Sequence, residues 1–226
     1  MLGTPLLVVL DVCHLLKLVR NCWGDFKTLV DGEGNAIRWT LLENLNDLQA
    51  SSGLHLANKL RSQHIDWRSN KMKTCLAAQT LSKSVAKSIS YCDKIKNIPE
   101  FRDSDGTVNF VHVMNDLFDL LNSKSKFGKG SKAPLNRDNY DVWSKKFYDY
   151  TKYILSLKHV NGQFLVNGSR KSAFIGFIAS MKSMLYIYQC YVLTNHLQYL
   201  LTFKFSQDHL GKFYDITLIY TNCKIV

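Results

Sequence analysis

Few of the residues that mark unusual architectures are present in this sequence. Only 3 prolines and 12 glycines occur in 226 residues, which excludes collagen-like and proline-rich low-complexity structure. No segment recurs at a fixed period, so a solenoid or propeller is excluded too. The six cysteines (Cys13, Cys22, Cys75, Cys92, Cys190 and Cys223) include no pair at a zinc-ligand spacing. They are also too sparse for a disulfide framework, which predicts reduced thiols. Long apolar runs are missing. The stretch from Met1 to Leu10 lacks a basic leader and stops at Asp11, so no signal peptide is expected. Ala173 to Phe203 is interrupted by Lys182, Gln189 and His196, whereas a membrane span needs about 20 mostly apolar residues. No membrane association is predicted.

Acidic residues are scarce relative to basic ones, 18 against 29, giving a formal net charge of +11. Such an excess suits a polyanionic partner: nucleic acid, nucleotide phosphates or an anionic surface. A hydrophobic content of 46% is enough for a packed interior, so disorder is not the expectation.

The patterning predicts a mainly α chain. Leu6 to Leu10 is a short β-branched apolar run, which predicts a strand buried on both faces with Asp11 at its end. A helix is expected from His14 to Asn21, then a plain turn at 31–35 that does not fit a calcium loop. Helical stripes follow from Trp39 to Asn122, including one long helix from Met72 to about Ser90 and a connector at 97–107. Phe110, Val113, Met114, Leu117 and Leu121 share one face, while Asn115, Asp119 and Asn122 share another. One side is built to pack and the other is free to recognise a ligand. Ser123 to Lys132 is basic and contains glycine, lacks the P-loop spacing, and reads as a solvated linker. A helix at 139–157 is expected to use Val142, Trp143, Tyr150 and Ile154 as core. A short extended piece at 164–166 and a long helix at 173–200 complete the reading, and the tail after Gly211 has no pattern.

Five segments, in order, resemble the P-element transposase family, including its THAP-type relatives. They are Asp11 to Asn21; Asn58-Lys59-Leu60; Lys71-Met72-Lys73 through Ser82 with Val85-Ala86; Leu117 to Asn122; and Arg170 to Phe177 with Leu201 to Leu210. The resemblance implies a DNA transposase whose RNase H-like α/β catalytic domain is interrupted by a helical insertion that binds GTP. It implies domains at 1–22 (RNase H-like fragment), 23–165 (GTP-binding insertion domain) and 166–226 (RNase H-like segment with a degenerate tail). It also implies DNA as partner, Mg²⁺ as cofactor and a nuclear location. The family's zinc-coordinating DNA-binding domain, its oligomerisation region and its first catalytic Asp are expected to be absent from this chain.

By the same resemblance Asp11 stands as a catalytic, metal-binding carboxylate, a role that its place after an apolar run also suits; a helix N-cap is the alternative. Gly211 occupies the position of the family's catalytic Glu, and glycine carries no metal ligand, so DNA cleavage and strand transfer are predicted to be lost. The nucleotide site is implied at Lys59, Lys73, Ser82, Phe118, Asp119, Asn122 and Asp208. The chemistry fits: guanine offers N1–H and N2–H₂ as adjacent donors for a carboxylate such as Asp119, and an aromatic face such as Phe118 supplies stacking. Lysines and a hydroxyl suit phosphates. Read without the resemblance, Phe118 is equally a core residue, and Asp119, Lys59 and Lys73 are equally surface charges. The competing expectation is a non-enzymatic basic module that binds DNA or another acidic partner without nucleotide.

Overall fold

The computed structural model describes residues 7–53, 56 and 58–205. Asp208 and Gly211 lie outside the described residues, as does Leu6.

Asp11 starts the first helix. Its carboxylate accepts the backbone N–H groups of Cys13 (3.2 Å) and His14 (3.1 Å), two donors that the first turn otherwise leaves unsatisfied. Helix α1 then runs Val12–Phe26 and buries Leu15, Leu16, Val19, Cys22 and Trp23, the i, i+3/i+4, i+7 face of an amphipathic helix. Trp23 makes edge contacts with Trp39 and Phe110, each at 5.2 Å between ring centres, and its indole N–H donates to the Ile37 carbonyl. That one side chain joins the helix, a hairpin and a second helix.

The hairpin pairs β1 (Thr28–Val30) with β2 (Ala36–Arg38) in antiparallel register, Leu29 opposite Ile37. A third strand, β3 (Lys158–His159), adds to the other edge of β1, giving the order β2-β1-β3. Leu29 and Ile37 face inward and are fully buried. The turn expected at 31–35 is thus the hairpin connection, fixed by Asp31 Oδ1 accepting from the N–H groups of Glu33 and Asn35.

The remaining elements are helical: α2 (Thr40–Ser52), α3 (Ser62–Ile65), α4 (Thr74–Thr80), α5 (Lys83–Lys94), α6 (Asp105–Leu121), α7 (Tyr140–Ser156) and α8 (Lys171–Tyr191). Helix α1 packs against α4, α6 and α8. Its approach to α8 is close at Gly176, where a Cβ would lie 2.5 Å from Cδ2 of Leu15. None of the helices among the described residues is long and apolar enough to cross a membrane.

The structure corrects several expectations. Residues 7–10 form no strand: Leu7, Val8 and Leu10 are 37%, 40% and 43% exposed, and the Val8 and Leu10 N–H groups bond to the hydroxyls of Ser183 and Ser180 on α8. An apolar run becomes a buried strand only with neighbours on both edges, and among the described residues none flank it. The long helix expected from Met72 to Ser90 is two, α4 and α5. Ser82 interrupts it by capping α5, accepting from the Val85 N–H, a side-chain to backbone bond that competes with helix continuation. The extended piece at 164–166 is mostly a 3₁₀ turn, Leu165–Asn167, and the nearby strand falls earlier, at β3. Helix α8 ends at Tyr191 rather than near Leu200. On α7 Trp143 and Ile154 are core as expected, but Val142 is 57% exposed.

Candidate functional site

Helix α6 separates two chemistries. Phe110, Val113, Met114, Leu117, Leu120 and Leu121 are buried in the core. Asn115, Asp116, Phe118, Asp119 and Asn122 are half-buried on the remaining surface, against the start of α5 and the segment 123–132.

Phe118, Asp119 and Asn122 line a pocket of about 290 Å³ together with Lys124, Ser125, Gly128 and Lys132. Asp119 Oδ2 accepts from the Asn115 amide at 3.0 Å, and Lys132 Nζ stands 3.9 Å from Oδ1. Burial dominates the electrostatics of this carboxyl and raises its pKa above the ordinary aspartate value, with Lys132, Asn115 and Lys83 only partly offsetting it. Beside it, Asn122 Oδ1 is buried with no hydrogen-bond partner. Such an oxygen costs about 1–3 kcal/mol and is the kind of group a ligand satisfies. Phe118 packs partly against the core and partly lines the pocket.

The segment 123–132 is largely exposed, as expected, but it is anchored at its ends and is not a free linker. Ser123 is buried, its N–H donates to Thr202 Oγ1 at 2.9 Å, and its hydroxyl donates to the Lys132 carbonyl at 2.9 Å. Gly128 passes so close to Lys132 that a methyl at that position would collide with the Lys132 carbonyl. The basic residues are therefore held in a folded loop that forms one wall of the pocket. Composition signalled the charge but not the ties at Thr202 and Lys132, which come from distant or returning chain.

The start of α5 lies beside this pocket without lining it. Ser82 caps it, and the next N–H, of Lys83, donates to Asn115 Oδ1 at 3.1 Å, the same amide that holds Asp119. Ser82 is thus linked to Asp119 only through Lys83 and Asn115. Lys83, Ser84, Lys87, Ser88, Tyr91 and Leu56 line a wider groove of about 630 Å³ along α5. Lys59 is exposed on the segment that reaches this groove, because Asn58 bonds Ser88 Oγ at 2.9 Å and Gln49 Oε1 at 2.8 Å. Lys73 is exposed at the start of α4, the far end of that helix from Ser82, and no described contact ties it to the pocket.

Asp11 is set apart from these residues at the start of α1. Both its oxygens are engaged by backbone donors, and among the described residues no three His, Cys, Asp or Glu side chains group as metal ligands. The arrangement fits a cap.

A helical domain with a small antiparallel sheet and a charged pocket beside a capped helix start defines the class of protein. Residues 13–134 match the family model described as "TNP-like, GTP-binding insertion domain". The chain belongs to the P-element/THAP9 transposase family. It is 32% identical to human DNA transposase THAP9 over 207 residues, which is 90% of this chain and 22% of that protein. It is 36% identical to the Transposable element P transposase of Drosophila melanogaster over 115 residues, 50% of this chain and 15% of that protein. The chain thus spans less than a quarter of the curated relatives it matches. Among solved structures it is similar to the Drosophila P element transposase strand transfer complex, with a TM-score of 0.73, 27% identity, and coverage of 91% of this chain and 45% of that one.

Proposed function

We propose that this chain binds GTP in the pocket on α6, with the base at Phe118, Asp119 and Asn122 and the phosphates toward the capped start of α5. The observation that carries the reading is the pairing, within one pocket, of a half-buried carboxylate and a partnerless amide oxygen. Guanine N1–H and N2–H₂ would bond Asp119, and turning the Asn122 amide would give its oxygen a partner on the exocyclic amine. Adenine presents an acceptor at N1 and would repel the carboxylate, so the pocket selects guanine. Ser82 and Lys59 are assigned to the phosphates on the strength of the α5 cap and the Asn58 bonds, and Lys73 and Asp208 by family resemblance alone. Mg²⁺ would accompany the triphosphate, since it binds readily through phosphate oxygens while keeping several waters.

The same reading assigns residues 1–22 and 166–226 to an RNase H-like catalytic domain, with 23–165 as the insertion between them. DNA is the proposed second partner and the nucleus the proposed location, by family membership and the net charge of +11. Cleavage and strand transfer are proposed to be lost, because Gly211 stands where the family carries its catalytic Glu. A divalent-metal-dependent DNA cleavage assay, with turnover above an Asp11→Ala control, is the result that sinks this part.

Calorimetric titration with GTP and with ATP, each with Mg²⁺, tests the binding. Saturable GTP binding that ATP does not reproduce, lost in Asp119→Ala, is expected. A well-folded chain that binds neither nucleotide overturns the assignment and leaves the basic binding module, for which the exposed Phe127 among Lys124, Lys126 and Lys129 is the supporting observation.

A further inference from the structure

Asp116 lies one turn before Asp119 on α6, and no sequence pattern singles it out. Its Oδ1 pairs with Lys83 Nζ at 2.5 Å, and its Oδ2 accepts from Tyr150 OH at 2.9 Å and Lys146 Nζ at 3.3 Å. Its side chain is only 14% exposed, yet it is surrounded by donors that favour the charged form. Burial opposes that charge, but the bonds from Lys83 and Tyr150 and the charge of Lys146 outweigh it, and the carboxyl sits below the ordinary aspartate pKa. Burial and the Asp116 charge push the Tyr150 hydroxyl up, so that it remains a donor.

Two of these partners lead on toward Asp119 and its pocket. Lys83 is the first residue of α5, and its backbone N–H holds the Asn115 amide, which in turn holds Asp119. Lys146, on α7, uses a second hydrogen to reach Ser131 Oγ at 3.1 Å. Ser131 sits in the short 3₁₀ turn Gly130–Lys132, whose last residue faces Asp119 across 3.9 Å. One buried carboxylate therefore connects α5, α7 and, through Lys146, the basic loop.

We infer that Asp116 is a positioning residue for the pocket, fixing the α5 start on one side of Asp119 and the 130–132 turn on the other without touching the ligand. Its part in nucleotide affinity rests on the GTP reading above; its part in holding the loop does not. The cause is preorganisation: a loop already held in its bound arrangement loses less freedom when ligand arrives. Without Asp116, Lys83 and Lys146 lose their shared anchor, and the Lys146 ammonium that bonds Ser131 is no longer held in place.

Two measurements on the full chain separate the parts. In limited trypsin digestion without nucleotide, Asp116→Asn is expected to be cut within 124–132 about tenfold faster than the parent chain, with cleavage elsewhere unchanged. GTP binding to the same variant is expected to weaken about tenfold with guanine selectivity kept, because Asp119 is intact. Lys146→Met, which leaves Asp116 its Lys83 and Tyr150 partners, should reproduce the loop cleavage, and it carries the test if Asp116→Asn fails to fold. Unchanged loop cleavage in a folded Asp116→Asn or Lys146→Met chain overturns the proposal. So does faster cleavage with GTP affinity unaltered. If the parent chain binds no guanine nucleotide, the GTP reading falls, while the cleavage pattern still decides whether Asp116 holds the loop.

Discussion

Asp116 and Asp119 are one helical turn apart, similarly buried, and opposite in character. Asp116 has two hydrogen-bond donors on Oδ2 at 2.9 and 3.3 Å and an ion pair with Lys83 at 2.5 Å on Oδ1, and is held ionised. Asp119 has one amide at 3.0 Å and a lysine at 3.9 Å, and burial raises its pKa. Burial is the same opposing force for both; the number and closeness of donors decides the sign. A carboxylate whose partners are all within the protein is structural, and one left short of donors has capacity for a ligand.

The sharpest way to break the comparison is Asp119→Ala. It is expected to weaken GTP binding at least about a hundredfold, because a carboxylate reading two guanine donors is removed, while the thermal midpoint in the absence of nucleotide holds or rises. A fall in midpoint comparable to that of an Asp116 variant would erase the distinction. Asp116→Ala is expected to destabilise by about 1–2 kcal/mol, since it removes the acceptor of the Tyr150 and Lys146 hydrogen bonds while both lysines keep access to water; urea unfolding with an unchanged slope measures it. Phe118→Leu keeps the packing on the core but removes the stacking face, and is expected to cost about 1 kcal/mol of GTP affinity with little change in midpoint.

Acidification gives the smallest effect and sharpens the comparison most. The raised pKa of Asp119 means its folded form takes up a proton at higher pH than its unfolded form does. Its contribution to stability is therefore full below the unfolded value and lost as pH rises through the folded one. For Asp116 the sign is reversed: its contribution is present above the unfolded value, about 3.9 for an ordinary aspartate, and is lost as pH falls through its lowered folded value. GTP affinity is expected to decline on acidification through the raised Asp119 pKa, before Asp116 begins to titrate, with no loss of the folded state over that interval. Calorimetry and circular dichroism across a pH series check both halves; parallel loss of binding and fold would refute the assignment.

The helical class was legible from Leu15, Leu16, Leu18 and Val19 within His14 to Asn21 and from the spacing of Phe110, Met114, Leu117 and Leu121, because burial on one face imposes its period on the sequence. The same periodicity set Asn115, Asp119 and Asn122 on the opposite side of α6, and the family's motifs gave Phe118 and Asp119 their expected roles. The hairpin escaped notice because strands of three residues, Thr28–Val30 and Ala36–Arg38, are too short for an alternation to register. The break at Ser82 escaped because the apolar pattern runs on through it while a side-chain bond ends the helix.

Local pattern thus determined which faces pack and where the charge excess lies, while the base-reading roles proposed on α6 came from the family resemblance and not from spacing. Only the tertiary structure decided that Lys83, Lys146 and Tyr150 converge on Asp116, that Ser123 is tied to Thr202, and that the basic loop is a pocket wall. Those contacts join residues 30 to about 80 positions apart. A hydrogen bond between such partners leaves no periodic trace in the chain, since its geometry is set by the packing of whole helices and not by neighbours in sequence.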